Sequence, residues 1–161
     1  MKNFIKIGIL SLSIGLISLN GAPYVDNGNG TVTDSATGLT WQKCSAGQGT
    51  TLGNCSTGSV IAYNWLNAVA YCEGLSLGGR TDWRLPNVNE FRSLVDFTKV
   101  SPPTIDSTIF SNFQSSYYWS SSTYAQSTSS AWYVFFYSGA ISYYVKTNNY
   151  YVLCITGPYS F

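Results

Sequence analysis

The chain has 161 residues, with eight basic and seven acidic side chains and no histidine. This length favours a single domain. The near-neutral charge argues against nucleic-acid binding, which needs a basic face to displace counterions. Without histidine, imidazole-based acid–base chemistry and most zinc sites are excluded. We therefore expect neither a metal nor a cofactor.

The first 22 residues are typical of a secretory signal. Lys2 and Lys6 flank the start of an apolar run, residues 7–19, that is short for a membrane span. An uncleaved anchor is the alternative. Subtracting these two lysines from eight basic residues leaves six against seven acidic ones, so the exported part is close to neutral. The sequence predicts a signal over 1–22, one domain over 23–161, and a secreted, periplasmic or cell-surface location.

The four cysteines predict disulfides, because an even number in an exported chain is typical of bridges. Three pairings are possible. Cys44 and Cys55 flank a Gly/Ser/Thr-rich loop, which favours a local bridge between them. Cys72 would then pair with Cys154 and join the middle of the chain to its last strand. A metal site is the alternative, although the chain lacks C-x-x-C spacing.

The first half of the domain contains a hairpin and two helices. Residues 31–33 and 39–42 flank the turn sequence "DSATG" and predict the hairpin. A first helix is expected in "AYNWLNAVAYCEGL", ending at Gly74, with one buried face formed by Trp65, Ala68, Val69 and Cys72. A second helix is expected after Pro86, with Asn87 and Glu90 as a cap-like pair and a buried stripe of Val88, Phe91, Leu94 and Val95.

The second half changes character after Ser107. Short β-rich runs follow one another: "YYWSSS", "AWYVFF", "ISYYV" and "YYVLCI". The segments "YSGA" and "KTNN" separate the last three as tight turns. The order of hairpin, two helices and antiparallel sheet predicts an α+β fold with helices segregated from strands.

Several motifs in this order resemble the bacterial secreted DUF1566 family, which is also named after the C-terminal domain of a Legionella collagen-like adhesin. They are "NGTVTDSATGLTWQKC", "DWRLPNVNEF", "YYWSSS" and "NNYYVLCI", and the resemblance extends from about Asn27 to Ile155. It implies a C-type-lectin-like domain. It also implies relatives that act as adhesins, and similar sheets that are diversified by retroelements at surface Tyr, Ser and Asn positions.

Alternation along the strands divides the aromatic side chains of the sheet into two sets. Cys154 is expected to point inward, with Val152 and Tyr150 on its side. The predicted buried sets of the other strands are Trp132, Val134 and Phe136, and Ile141, Tyr143 and Val145. The remaining side chains are predicted to form a ligand-binding patch, rimmed by Tyr124 in the loop 120–130: Tyr133, Phe135, Ser142, Tyr144, Tyr151 and Leu153.

Tyr and Ser favour adaptable binding surfaces, because Tyr offers large contact area at low entropic cost and Ser offers small hydrogen-bonding groups. An exposed apolar patch usually marks an interaction site. Packing under a loop or the helices, and contact within a homo-oligomer, are the alternatives. The sequence thus predicts an adhesin-like module for a glycan or a surface protein. A structural envelope or self-associating domain is the first alternative.

Catalysis is the weaker alternative, as an enzyme on a formylglycine-generating-enzyme-like fold. The sheet half has no carboxylate, which argues against the calcium site of calcium-dependent lectins. A structural role as a turn, a cap or an ion pair is expected for each of the acidic residues. No histidine is present to activate a serine. We therefore expect no catalytic residue.

Overall fold

The computed structural model describes residues 24–49 and 53–158, and the predicted signal segment lies outside them. In chain order the elements are β1 (Tyr24–Asp26), β2 (Thr31–Asp34), β3 (Thr40–Gln42), α1 (Trp65–Glu73), α2 (Val88–Arg92), β4 (Tyr117–Thr123), β5 (Ser130–Phe135), β6 (Ala140–Val145) and β7 (Ile155–Thr156). Neither of the two helices in these residues has the length and apolar character needed to cross a bilayer.

The first sheet has the strand order β1-β2-β3-β7 and is antiparallel. The predicted hairpin β2–β3 is confirmed, with Val32 opposite Trp41. Its turn is fixed by Asp34, which accepts hydrogen bonds from the Ala36 amide and the Thr37 hydroxyl. The sequence prediction did not include β1, which has only three residues, or β7, which comes from the far end of the chain.

Helix α1 follows the predicted amphipathic pattern. Asn64 caps its start by accepting a hydrogen bond from the Asn67 amide, and Gly74 ends it as predicted. Ala68 and Cys72 are buried, while Trp65 and Val69 pack at the margin of the same core. The apolar stripe therefore faces inward and holds the helix against β4 and the C-terminal segment.

Helix α2 is a single turn stabilised by a buried ion pair. Asn87 and Glu90 form a capping box, which confirms the predicted cap-like pair. The Glu90 carboxylate also accepts two hydrogen bonds from the Arg84 guanidinium, at 2.6 and 2.7 Å. Leu94 and Val95 lie beyond the end of the helix but are still buried. One fully buried carboxylate thus fixes both the helix start and the preceding loop.

The second sheet has the order β4-β5-β6 and contains the three predicted strands "YYWSSS", "AWYVFF" and "ISYYV". The predicted fourth strand, "YYVLCI", does not join it as a regular strand. Tyr151 forms one isolated bridge to Tyr118, and the chain then continues to β7 in the first sheet. The C-terminal segment therefore connects the two sheets.

Residues 151–155 run between two hydrophobic cores, which explains why the predicted outward position of Leu153 is wrong. Leu153 and Ile155 belong to one core, with Val32, Trp41, Phe91 and Val134 among its members. Val152 and Cys154 belong to the other, with Ala68, Trp83 and Trp119. The side chains of this segment alternate as predicted, but a hydrophobic core covers each of its two sides. Leu153 was expected to face outward and is instead 0% exposed.

The two predicted disulfides are confirmed. Cys44 pairs with Cys55, and Cys72 pairs with Cys154. The second bridge joins α1 to the C-terminal segment inside the core that both share. The architecture of antiparallel sheets with two short helices is compatible with the expected α+β class. The finer C-type-lectin-like assignment stays a prediction.

The buried and exposed ion pairs allow a matched test of stability. We expect Glu90→Gln to lower the free energy of unfolding by about 3–5 kcal/mol, because it removes the charge partner of the largely buried Arg84 guanidinium. The control is Asp82→Asn, which breaks the exposed pair with Arg80 and should cost less than about 1 kcal/mol. Urea denaturation measures both. Equal losses would contradict the structural role of the Glu90 carboxylate.

Candidate binding surface

Six aromatic rings gather on one face of the β4-β5-β6 sheet. The register places Tyr117 opposite Phe135, and Tyr133 opposite Ser142. Paired residues of an antiparallel sheet share a face, so these side chains lie together. Tyr150 reaches the same face from the turn that follows β6. We call this group the tyrosine cluster, consisting of Tyr117, Tyr133, Phe135, Tyr137, Tyr144 and Tyr150.

Tyr117 lies at the centre of the tyrosine cluster. Its ring stacks on Phe135 at 4.4 Å and on Tyr150 at 5.0 Å between centroids, and meets the edge of Tyr133 at 5.2 Å. Tyr137 extends the cluster beyond Phe135, at 5.7 Å. Such ring pairs add about 0.5–1.5 kcal/mol each beyond simple burial. The rings therefore hold one another in place before any partner arrives.

A shallow cavity of about 160 Å³ adjoins Tyr117 and Tyr150. Its other lining residues are Ala62, Ser116, Asn149 and Tyr151. The cavity is thus lined by three tyrosines together with two polar residues, Ser116 and Asn149. These groups offer both donors and acceptors beside ring faces.

Three rings of the tyrosine cluster are exposed and three are half-buried, and none of the six carries a formal charge. Tyr137 is 57%, Tyr144 is 49% and Tyr117 is 36% exposed. Partial burial among the rings raises the pKa of Tyr150 above its ordinary value. Lys146, at the end of β6, is engaged elsewhere: its Nζ lies 3.9 Å from the Trp65 ring centroid and donates to the Thr123 hydroxyl. The six residues of the tyrosine cluster therefore include no acidic or basic side chain.

The opposite face of the same sheet carries a smaller group of rings. Tyr124 stacks on Tyr143 with centroids 3.6 Å apart, and Trp132 meets both rings edge-on. Tyr124 therefore does not rim the predicted patch. Tyr143 and Val145 were expected in the core and are 42% and 43% exposed. The core on this face ends near Val134 and Ile141, so the far end of β6 extends past it.

The structure brings together four of the seven predicted binding residues. Tyr133, Phe135, Ser142 and Tyr144 lie on the face of the tyrosine cluster. Tyr124 is on the opposite face, Leu153 is in the core, and Tyr151 is half-buried against that core while one part of it lines the cavity. Whether the four bind a ligand stays a prediction.

Comparison with known protein families identifies the family of this chain. The family model described as "Lcl C-terminal domain" matches residues 30–156, which is most of the chain. The chain belongs to the Lcl C-terminal domain family. This confirms the family resemblance that the sequence motifs indicated. No curated protein matches the chain.

Two central residues of this Lcl C-terminal domain's tyrosine cluster were not among the predicted binding residues. Tyr150 packs on the side of Val152 and Cys154, as predicted, but it is only partly buried, and its ring also stacks on Tyr117. Tyr117 and Tyr118 are consecutive, so their side chains face opposite sides of β4. Because Trp119, on the same face as Tyr117, is fully buried like Tyr118, alternation along β4 did not reveal that Tyr117 is exposed.

The acidic residues of the Lcl C-terminal domain lie in structural positions. Asp26 pairs with Lys43, and this hydrogen bond lowers the pKa of the carboxyl group. The Arg80 guanidinium similarly lowers the pKa of Asp82 to about 2. Asp96 and Asp106 each accept hydrogen bonds from the threonine two residues later. Within residues 24–49 and 53–158, no three acidic or cysteine side chains group as metal ligands would.

The corrected position of Leu153 separates stability from surface chemistry. We expect Leu153→Ala to lower the free energy of unfolding by about 2–5 kcal/mol, because it opens a cavity between the strands. The matched surface change is Tyr144→Ala, which should cost about 0.5 kcal/mol. Thermal and urea unfolding would measure the pair. A loss at Tyr144 as large as that at Leu153 would mean that the tyrosine cluster is part of the core.

Proposed function

We propose that this Lcl C-terminal domain is a noncatalytic, adhesin-like binding module whose tyrosine cluster contacts a glycan or a surface protein. The observation that supports this most strongly is the solvent-open group of uncharged, mutually stacked rings on a rigid sheet. A contiguous exposed apolar surface of this kind usually marks an interaction site. Tyrosine also combines large contact area with little loss of conformational freedom on binding.

The cavity beside Tyr117 favours a glycan over a protein as the ligand. A sugar ring presents an apolar face that stacks on aromatic rings and a rim of hydroxyls that needs donors and acceptors. The cavity supplies ring faces from Tyr117 and Tyr150 and polar groups from Ser116 and Asn149. A flat protein epitope would use the exposed rings of Tyr137 and Tyr144 more than the cavity.

Family membership and the disulfides agree with this proposal. Disulfides form and persist outside the reducing cytosol, which fits an exported protein. The adhesin role of the relatives implied by the sequence resemblance fits a binding module. Variation of the tyrosine cluster by a retroelement belongs to the same proposal, because β5 and β6 place their exposed Tyr and Ser side chains on a fixed backbone.

A noncatalytic role is supported by the use of the carboxylates. Glu90 is fully buried in its ion pair, and Asp26 and Asp82 are engaged by basic side chains. None of these carboxylates lies in the tyrosine cluster or lines its cavity. General acid–base chemistry requires a titratable group within hydrogen-bond reach of the substrate. The proposed site contains aromatic and polar binding groups and none of these three carboxylates.

The decisive experiment combines a glycan array with a surface-protein pull-down, using the wild-type chain and Tyr117→Ser. We expect the substitution to weaken binding at least about tenfold, because it removes the ring on which three others pack. The matched control is Tyr124→Ser, the same chemical change on the opposite face of the sheet. It should leave binding unchanged. Circular dichroism confirms that both variants are folded.

The outcomes of this experiment distinguish a glycan ligand from a protein ligand. Loss of glycan binding in Tyr117→Ser alone supports the glycan proposal, and loss of protein capture alone supports a protein ligand. Equal effects of the two substitutions would contradict the tyrosine cluster as the site.

Binding is expected to persist when divalent metals are removed. The proposed site uses rings, a hydroxyl and an amide, and none of its residues is a carboxylate that calcium would require. Ligand binding measured with and without a chelator should therefore give the same affinity. A calcium-binding lectin added to the same assay serves as the positive control. A strong loss on chelation would refute the metal-independent site.

A further inference from the structure

Strand β6 forms an uncovered edge of the second sheet. The outer edge of β4 is occupied, because the Trp119 amide donates to Tyr151 and the Ser121 amide donates to Pro86. The edge of β7 in the other sheet is likewise paired with Arg84. At the remaining edge, β1 has three residues and includes Asp26. Strand β6 has six residues, Ala140–Val145, and none of them is charged.

The pairing with β5 shows which backbone groups of β6 face the open edge. The Lys146 amide donates to the Ser129 carbonyl, and antiparallel pairs alternate between bonded and non-bonded positions. The bonded positions are therefore 140, 142, 144 and 146. Ile141, Tyr143 and Val145 direct their N–H and C=O groups away from the sheet. Among the described residues, no backbone group pairs with Ile141 or Tyr143 at this edge.

An edge of this kind is normally protected. Natural sheets protect edge strands with lysine, proline, bulges or a covering segment, because unpaired groups recruit another strand. The six residues of β6 contain neither lysine nor proline, and their register with β5 is continuous without a bulge. Tyr143, Tyr144 and Val145 are also 42–49% exposed. The strand combines open hydrogen-bonding groups with exposed apolar side chains.

We propose that the edge of β6 pairs with β6 of a second copy of this chain, antiparallel, about a twofold axis at Tyr143. In this register the Tyr143 N–H and C=O bond their counterparts in the second copy. Ile141 of each copy pairs with Val145 of the other. The Val145 carbonyl already accepts from the Asn148 amide at 3.1 Å and uses its second lone pair for the partner.

The side chains favour a second copy as the occupant. On one face, β-branched Ile141 meets β-branched Val145, and the two Tyr143 rings meet at the axis. On the other face, Ser142 lies opposite Tyr144. Strand β6 has no charged side chain, so self-pairing does not bring like charges together. Every open donor of one strand thus finds an acceptor in an identical strand, so the edge is complementary to itself.

The test measures association and hydrogen bonding together, on the full chain. Sedimentation equilibrium should show a concentration-dependent dimer. In parallel, amide hydrogen exchange followed by nuclear magnetic resonance should slow at least tenfold at Ile141 and Tyr143 as the dimer forms. Ser142 and Tyr144, whose amides already face β5, should be protected at every concentration. This alternation distinguishes edge pairing from association through either aromatic face.

Charge substitutions at the axis provide the controls. Tyr143→Lys should weaken the dimer about tenfold or more, because two ammonium groups then lie directly opposite each other. Mixing this variant with Tyr143→Glu should restore a mixed dimer. The matched control Leu66→Lys removes an exposed apolar side chain on α1 and should leave association unchanged.

Several results would overturn the proposal. They are a monomer at all concentrations, a dimer in which the Ile141 and Tyr143 amides still exchange rapidly, or equal effects of Tyr143→Lys and Leu66→Lys. If exchange of the Ile141 and Tyr143 amides slows only when an extended peptide from another protein is added, the occupant of the edge is that peptide. This result would also reject self-pairing.

Discussion

The path of residues 151–155 is the constraint on which the rest of the fold depends. This segment separates two hydrophobic cores and sends alternate side chains into each. It then ends as β7, the last strand of the first sheet, while Cys154 is bonded to α1. Because one short segment completes both cores and one sheet, the orientation of the second sheet relative to the first is fixed by it.

The tyrosine cluster lies at the margin of one of these cores, against which Tyr133 and Tyr150 pack. Tyr118 and Val134 pack in one core and Trp119 in the other, so β4 and β5 are anchored from both sides. The neighbouring Tyr117 and Phe135 belong to neither core and are partly exposed. The backbone positions of the exposed rings are thus determined by residues that no ligand would touch. Substitutions of the exposed side chains would therefore change the chemistry of this surface without changing the backbone positions that carry it.

The sequence predicted the local features of this domain better than its long-range contacts. The hairpin, the capping box at Asn87 and Glu90 and the two disulfides depend on residues close in sequence or on simple pairing rules. The alternation along β5 also placed Tyr133 and Phe135 correctly. Leu153 was misplaced because alternation reveals which side chains face opposite ways but not what covers each side. That information lies in contacts between residues far apart in the chain.

The positions of Tyr124, Tyr143 and Val145 failed for a related reason. The alternation of Tyr143 and Val145 was interpreted as if one core covered a whole face of the sheet, whereas the core ends near Ile141. Tyr124 was placed from its loop position alone, which does not show which face of the sheet its ring reaches. The length of a strand relative to the core beneath it is set by the helices and by the other sheet. The residue pattern of one strand does not show where the helices or the other sheet cover it.

The lack of charge in the tyrosine cluster has a kinetic consequence. Charged surfaces accelerate encounter by long-range attraction, and that gain disappears as salt screens it. A neutral surface has no such gain to lose, so its association rate falls near the unassisted range of about 10⁵–10⁶ M⁻¹s⁻¹. For the binding role proposed above, the association rate should therefore change little with ionic strength. The same encounter rate is then expected in dilute buffer and at physiological salt.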